Sequence, residues 1–174
     1  MIDVFVHGKP FALINNPDEF ASMRAFIVED QKVLDKDVTL GIKGLHAWAA
    51  NEVKSHARAI RSALTGNADA YELAGWAGKA ERAHRAAAGS MTPADKAAIS
   101  TEAKQRGLGE TPEDLLAKQA AKADSMGMAV AVIDGLESAA LREVATTDSL
   151  KELTALLGGL SKKSDAAISQ LMAK

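Results

Sequence analysis

The sequence predicts a mainly α protein, an antiparallel helical bundle with a short N-terminal β-hairpin, and three observations carry that reading. Hydrophobic residues make up 47% of the 174 residues but aromatics only 4%. Alanine fills the difference, and alanine loses no side-chain entropy in a helix and lets helices approach closely. Two Thr-Pro-x-Asp helix starts, Thr92-Pro93-Ala94-Asp95 and Thr111-Pro112-Glu113-Asp114, bracket a Gly107-Leu108-Gly109 stop. At the N-terminus, Ile2, Val4 and Val6 alternate with Asp3 and Phe5, which is the period of a strand. A chain of this size buries roughly two thirds of its unfolded surface, so one core is expected.

The elements follow in order. Residues 2–14 form a hairpin around the turn chemistry of His7-Gly8-Lys9-Pro10, ending in Phe11-Ala12-Leu13-Ile14. Asn15-Asn16 caps a short helix over 17–28, with Pro17 at its first position and Asp18 and Glu19 complementing the dipole. Polar residues 29–37 read as a connector or a weak helical extension. Over 42–64, Leu45, Trp48, Ala49, Val53, Ala57, Ile60 and Leu64 recur at steps of three and four and make one amphipathic stripe. Thr65-Gly66-Asn67 ends it. Asp69 and Glu72 start a helix whose stripe, Leu73, Ala74, Ala77, Ala80, Ala83 and Ala87, is almost all alanine and predicts a close-packed interface. Thr92 caps a helix reaching about residue 106, and Thr111 caps the longest one, to about 144, weakened in its middle by Gly127 and Gly135. The tail reads as two short helices, 150–157 and 164–172, split by Gly158-Gly159. The expected division is a hairpin-plus-helix appendage over 1–37 and an alanine-rich bundle over 38–174.

Composition disfavours several functions. Lys+Arg 21 against Asp+Glu 23 leaves a net charge of -2 with interspersed signs, so there is no electrostatic footprint for nucleic acid. Zero cysteines exclude a disulfide scaffold, a thiol nucleophile and a Cys-bound zinc. No run reaches the length of a membrane span, and the N-terminus lacks the pattern of a signal peptide, so no membrane partner is expected. Of the four histidines, His56 alone has a suggestive neighbour, Glu52 one turn earlier, but no donor set on a second helix completes a metal site, so a His and Glu on a helix flank is the expectation. No Gly-x-Ser-x-Gly elbow is present, and Gly107-Leu108-Gly109 is followed by Glu110 rather than the residues of a phosphate loop. The basic group Arg58, Arg61, Lys79, Arg82 and Arg85 shares its helices with Glu52, Glu72 and Glu81 and reads as a solvated face. Trp48, Trp76 and Tyr71 lie close to apolar stripes and read as core anchors. No catalytic residue, cofactor or metal ligand is assigned.

One longer pattern is specific. Ile99-x-x-Glu102-Ala103, Arg106-Gly107-x-Gly109, Thr111-Pro112-x-Asp114-Leu115-Leu116-Ala117, Val132-Ile133-Asp134-Gly135-Leu136-Glu137-Ser138-Ala139 and Ala140-Leu141-Arg142 follow one another, preceded by Tyr71-Glu72-Leu73-Ala74 and Lys79-Ala80-Glu81. Together, over about residues 42–144, they resemble the helical domain of small tail-region proteins of tailed bacteriophages, commonly encoded beside tail fibre genes. The resemblance implies a non-enzymatic structural or accessory protein of the virion tail, made in the host cytoplasm, whose partner is a tail, baseplate or fibre protein. A homo-oligomer, trimeric to match a fibre or ring-shaped to match the tail, fits it as well as a monomer does.

The hairpin is the expected docking element, because its apolar residues exceed what a two-stranded ribbon can hide by itself. Val4, Phe5, Val6, Phe11 and Leu13 are the candidate partner-binding residues. Deleting residues 1–14 is accordingly expected to leave the bundle folded and remove the partner. Two alternatives belong to other classes. One is a fibre-assembly chaperone absent from the mature virion, with an alanine-rich groove near Met126, Met128 and Met172 accepting a partner helix. The other is an inhibitor directed at a host protein.

Overall fold

The computed structural model describes residues 1–66 and 68–172, with side chains described to residue 170; Asn67 and the Met172 side chain lie outside the described residues. The chain is mainly α, with β1 (Ile2–Val6), β2 (Lys9–Ile14), α1 (Asp18–Asp30), a 3₁₀ turn (Asp35–Asp37), β3 (Val38–Leu40), α2 (Ile42–Leu64), α3 (Ala70–Ala87), α4 (Pro93–Arg106), α5 (Pro112–Thr146) and α6 (Leu150–Met172). It divides into two compact units, one made of residues 1–59 and 133–170 and the other centred on 60–132, with α2 and α5 supplying residues to both. This cut differs from the expected one after residue 37.

The first unit contains the sheet. His7 and Gly8 both adopt positive φ, 51° and 72°, and close the β1–β2 hairpin in the two-residue turn whose twist matches the strands. The hairpin is not alone: β3 pairs with the other side of β1, giving the antiparallel order β2-β1-β3. Residues 29–37, expected as a connector or a weak helical extension, supply the last turn of α1, to Asp30, and then run into this third strand. Backbone bonds from His7 N–H to Asp37 O, 3.0 Å, and from Gly41 N–H to Asp3 O, 2.7 Å, tie both of its ends. Strand alternation turns Ile2 and Val4 inward, and the register sets Ile14 opposite Ile2. All three join Ile27 of α1, Val38 of β3, Leu45, Ala49 and Val53 of α2, Ala140 and Val144 of α5, and Leu153 and Leu160 of α6 in one core.

Asn16 caps α1 as expected, its Oδ1 accepting from the Asp18 and Glu19 N–H groups at 2.9 and 3.3 Å. The tail differs from expectation. α6 is a single helix through Gly158 and Gly159. Each interior glycine costs about 1 kcal/mol of helix propensity, but continuity keeps Leu153, Leu160 and Ser164 on one buried face, and that burial outweighs the cost.

The second unit is built on capped helix starts. Asp69 Oδ1 accepts from the N–H of Tyr71 and Glu72 at 2.8 and 2.9 Å, and the Glu72 carboxylate accepts from the Asp69 N–H at 3.1 Å. Thr92 with Asp95 and Thr111 with Asp114 form the same reciprocal box, each with a backbone-to-hydroxyl bond of 3.1 Å. Gly107, at φ 65°, ends α4 in the left-handed conformation. Ile99, Ala103 and Leu115 form the buried cluster, with Met91 and Leu116 against it. The alanine stripe of α3 is not buried along its length: Ala83 is, Ala80 is half-buried, and Ala74, Ala77 and Ala87 are exposed.

Candidate functional site

The five residues proposed from sequence separate by face. Val4 is fully buried in the core, and Phe5 and Val6 are half-buried, so the alternation that suggested binding has turned part of the hairpin into core. Phe11 and Leu13 are 48% and 57% exposed. The register explains the difference. Leu13 lies opposite Asp3 on the outer face, and the shift between Val4 and Phe5 leaves Phe11 without a cross-strand partner, a bulge that re-aims its side chain. β2 is one of the two edge strands of the sheet, β3 being the other. From Pro10 to Ile14 its sequence carries no charge.

The basic group is dispersed and engaged. Arg58 is exposed and belongs to the first unit, while Lys79 is bonded to Glu102 at 2.7 Å. Arg85 grips Asp95 bidentately, at 2.9 and 2.7 Å, with Arg82 at 3.9 Å. Asp95 also accepts from the Thr92 hydroxyl at 2.9 Å and the Thr92 N–H at 3.1 Å. The Arg85 guanidinium and then the Thr92 donors hold its carboxyl well below the ordinary carboxylate range. Burial raises the Glu102 pKa, but Lys79, Gln119 and Arg82 together outweigh it and the net shift is downward. The bonds on these two carboxylates come from α3, α5 and the Thr92 cap, so the network ties α4 to its neighbours in the second unit. Its pH dependence has a definite sign. Above the usual Asp pKa of about 4 both folded and unfolded chains carry the charge and the stabilisation is complete. Below it the unfolded chain takes up the proton first, and stability is lost progressively as pH falls. Melting between neutral and strongly acidic pH should therefore show a steep acid limb that flattens in Asp95→Asn; an identical limb in the variant would remove Asp95 from that role.

His56 faces Ser164 at 3.2 Å, and because the Ser164 hydroxyl donates to Leu160 O at 2.9 Å, the imidazole Nε2–H is the donor to Ser164. His46 Nε2–H donates to Thr147 O at 2.8 Å. Both histidines serve as fasteners between elements of the first unit. Among the described residues no three His, Asp or Glu side chains gather as a metal site, and no helix is long and apolar enough to cross a membrane.

The second unit holds an open-sided groove of about 570 Å³. Leu73, Trp76, Ala77 and Ala80 of α3 line one wall, and Leu115, Ala123, Met126 and Val130 of α5 the other. Trp76, expected as a core anchor, is half-buried here with the Lys122 ammonium 4.6 Å from its ring centroid. Tyr71 is no anchor at all, being 89% exposed just inside the start of α3. Trp48 does pack against the core of the first unit. Of the methionines suggested for a groove, Met126 lines it and Met128 is exposed. Sequence periodicity placed Ala77 and Ala80 on one face but could not say whether that face met a helix or a gap.

Compared with protein-family models, with curated proteins and with solved structures, the chain matches none.

Proposed function

We propose that the protein is a non-enzymatic accessory protein that docks on a larger protein by adding the edge of its sheet to that partner. The observation that carries this reading is β2: an edge strand, uncharged over 10–14, with Phe11 and Leu13 both exposed on it. Edge strands present unpaired backbone groups and are usually blunted by charge or by a covering element, so an edge with two large apolar side chains is suited to strand addition, the backbone supplying affinity and the side chains specificity. The setting, a tail, baseplate or fibre protein of a tailed bacteriophage, rests on the sequence resemblance alone. The partner surface is accordingly narrower than the five hairpin residues: Phe11 and Leu13, with Val4 holding the strand behind them.

Mass spectrometry of purified virions tests the setting and a double substitution tests the surface. The unaltered chain is expected in the particle. Phe11→Asp with Leu13→Asp, both at exposed positions, should keep the wild-type melt and be lost from particles. Abundance in infected cells with absence from virions would sink the structural role and favour the assembly chaperone, which should instead raise the yield of soluble fibre on co-expression.

A further inference from the structure

We propose that the groove of the 60–132 unit is a second docking site, shaped for an amphipathic helix of a partner protein whose apolar stripe is bordered by aspartate and glutamate. The site is separate from the β2 edge and does not depend on it. Its length comes from the helices that form it. The lining runs from Leu73 to His84 on α3 and from Leu115 to Val130 on α5, which at about 1.5 Å per residue is roughly 16 and 22 Å, or three to four turns of a bound helix. Ala77, Ala80 and Ala123 have side chains too short to fill the space between the walls, so a partner's side chains can reach in while its backbone lies close. Trp76 and Met126 supply a broad flat face and a deformable one, the pairing that adaptable helix grooves use.

Charge selects the kind of helix. Four Lys and Arg side chains line the groove, Lys79, Arg106, Lys118 and Lys122, against one carboxylate, Glu102. Glu102 is already shared by Lys79 at 2.7 Å and Arg82 at 3.7 Å. Glu110 is shared by Arg106 at 2.7 Å and Lys118 at 2.9 Å, and Asp114 also lies close to Lys118. Lys122 lies over Trp76 and has no carboxylate partner among the described residues. The border of an apolar groove therefore keeps a positive surplus, and a helix carrying acids on either side of its stripe neutralises it. A basic-flanked helix would meet like charge. A compact apolar ligand would leave the surplus unanswered.

Isothermal titration calorimetry on the full-length chain tests this with two synthetic peptides of about 16 residues that share a leucine and alanine stripe and differ only in glutamate or lysine flanks. The glutamate peptide should bind one to one, and the lysine peptide at least tenfold more weakly. Lys122→Glu, a surface change, should weaken the glutamate peptide by about fivefold. Ala80→Leu, which fills the groove, should weaken it about tenfold or more, with circular dichroism confirming the fold. Equal affinity for both peptides, no binding of either, or indifference to both substitutions would overturn the proposal. Saturable binding of sodium dodecanoate without peptide binding would also overturn it, and would reassign the groove to a small amphiphile. Loss of partner binding through Phe11 and Leu13 leaves all these outcomes unchanged.

Discussion

Removal of residues 1–14 is expected to unfold the unit built from 1–59 and 133–170 rather than to detach an appendage. Ile2, Val4 and Ile14 are 0 to 1% exposed and sit in the same cluster as Leu45, Val53 and Leu153. Full burial of each such side chain is worth about 1.5–3 kcal/mol, so losing three removes an amount comparable to the roughly 5–15 kcal/mol that holds an ordinary domain folded. The deletion also strips β3 of its pairing partner and exposes the faces of α2, α5 and α6 that this core covers. A truncated chain should lose a large fraction of its helical circular dichroism. What remains should come from the 60–132 unit, which draws no residue from the deleted segment. Retention of the full helical signal with an unchanged melt would show that the sheet is dispensable and restore the sequence-based picture of a detached hairpin.

Gly44→Ala should be destabilising even though alanine is the better helix former by about 1 kcal/mol. Gly44 lies in the first turn of α2, and a Cβ there would stand 2.7 Å from the Cα of Ile2 and 3.0 Å from the carbonyl oxygen of Met1. The two nearest obstructing atoms are backbone, and Ile2 is held by its pairing with Ile14 and by a fully buried side chain, so no rotamer change makes room. Overpacking of this kind costs about 1–3 kcal/mol or more, which exceeds the propensity gained. Gly158→Ala is the matched control in the same unit: it lies inside α6, nothing stands within 4 Å of its added methyl, and it should stabilise by up to about 1 kcal/mol. Thermal or urea melts of the two variants should move in opposite directions. Movement in the same direction would mean that the close approach of β1 to α2 does not control the packing there.

Local chemistry was legible. The capping boxes at Asp69, Thr92 and Thr111, the Asn16 cap and the left-handed Gly107 need only residues within four positions of one another, and each forms the hydrogen bonds its spacing implies. The hairpin was legible for the same reason, its turn residues and alternation being contiguous. What lay outside the sequence depends on a distant surface. Val38–Leu40 has no strong strand pattern and becomes β3 because β1 offers it an edge. Gly158 and Gly159 read as a break, and burial of residues to either side carries the helix through them.

The candidate sites divide along the same line. Composition and periodicity named the apolar residues of the hairpin and the alanines of α3. Neither could say which way they face, because a strand hides alternate residues only against a partner and a stripe of small side chains is the same string whether it meets a helix or a groove. By itself the sequence determined the capped helix starts at Asp69, Thr92 and Thr111 and the stop at Gly107, that β1 and β2 pair, and that the chain is mainly helical. Only the tertiary structure decided that Val4 is core while Phe11 and Leu13 are surface, that β1 is the central strand of three, and that Trp76 borders a groove. The physical reason is range: caps and turns are fixed by hydrogen bonds a few residues long, whereas burial is fixed by whichever element, tens of residues away, comes to cover the face.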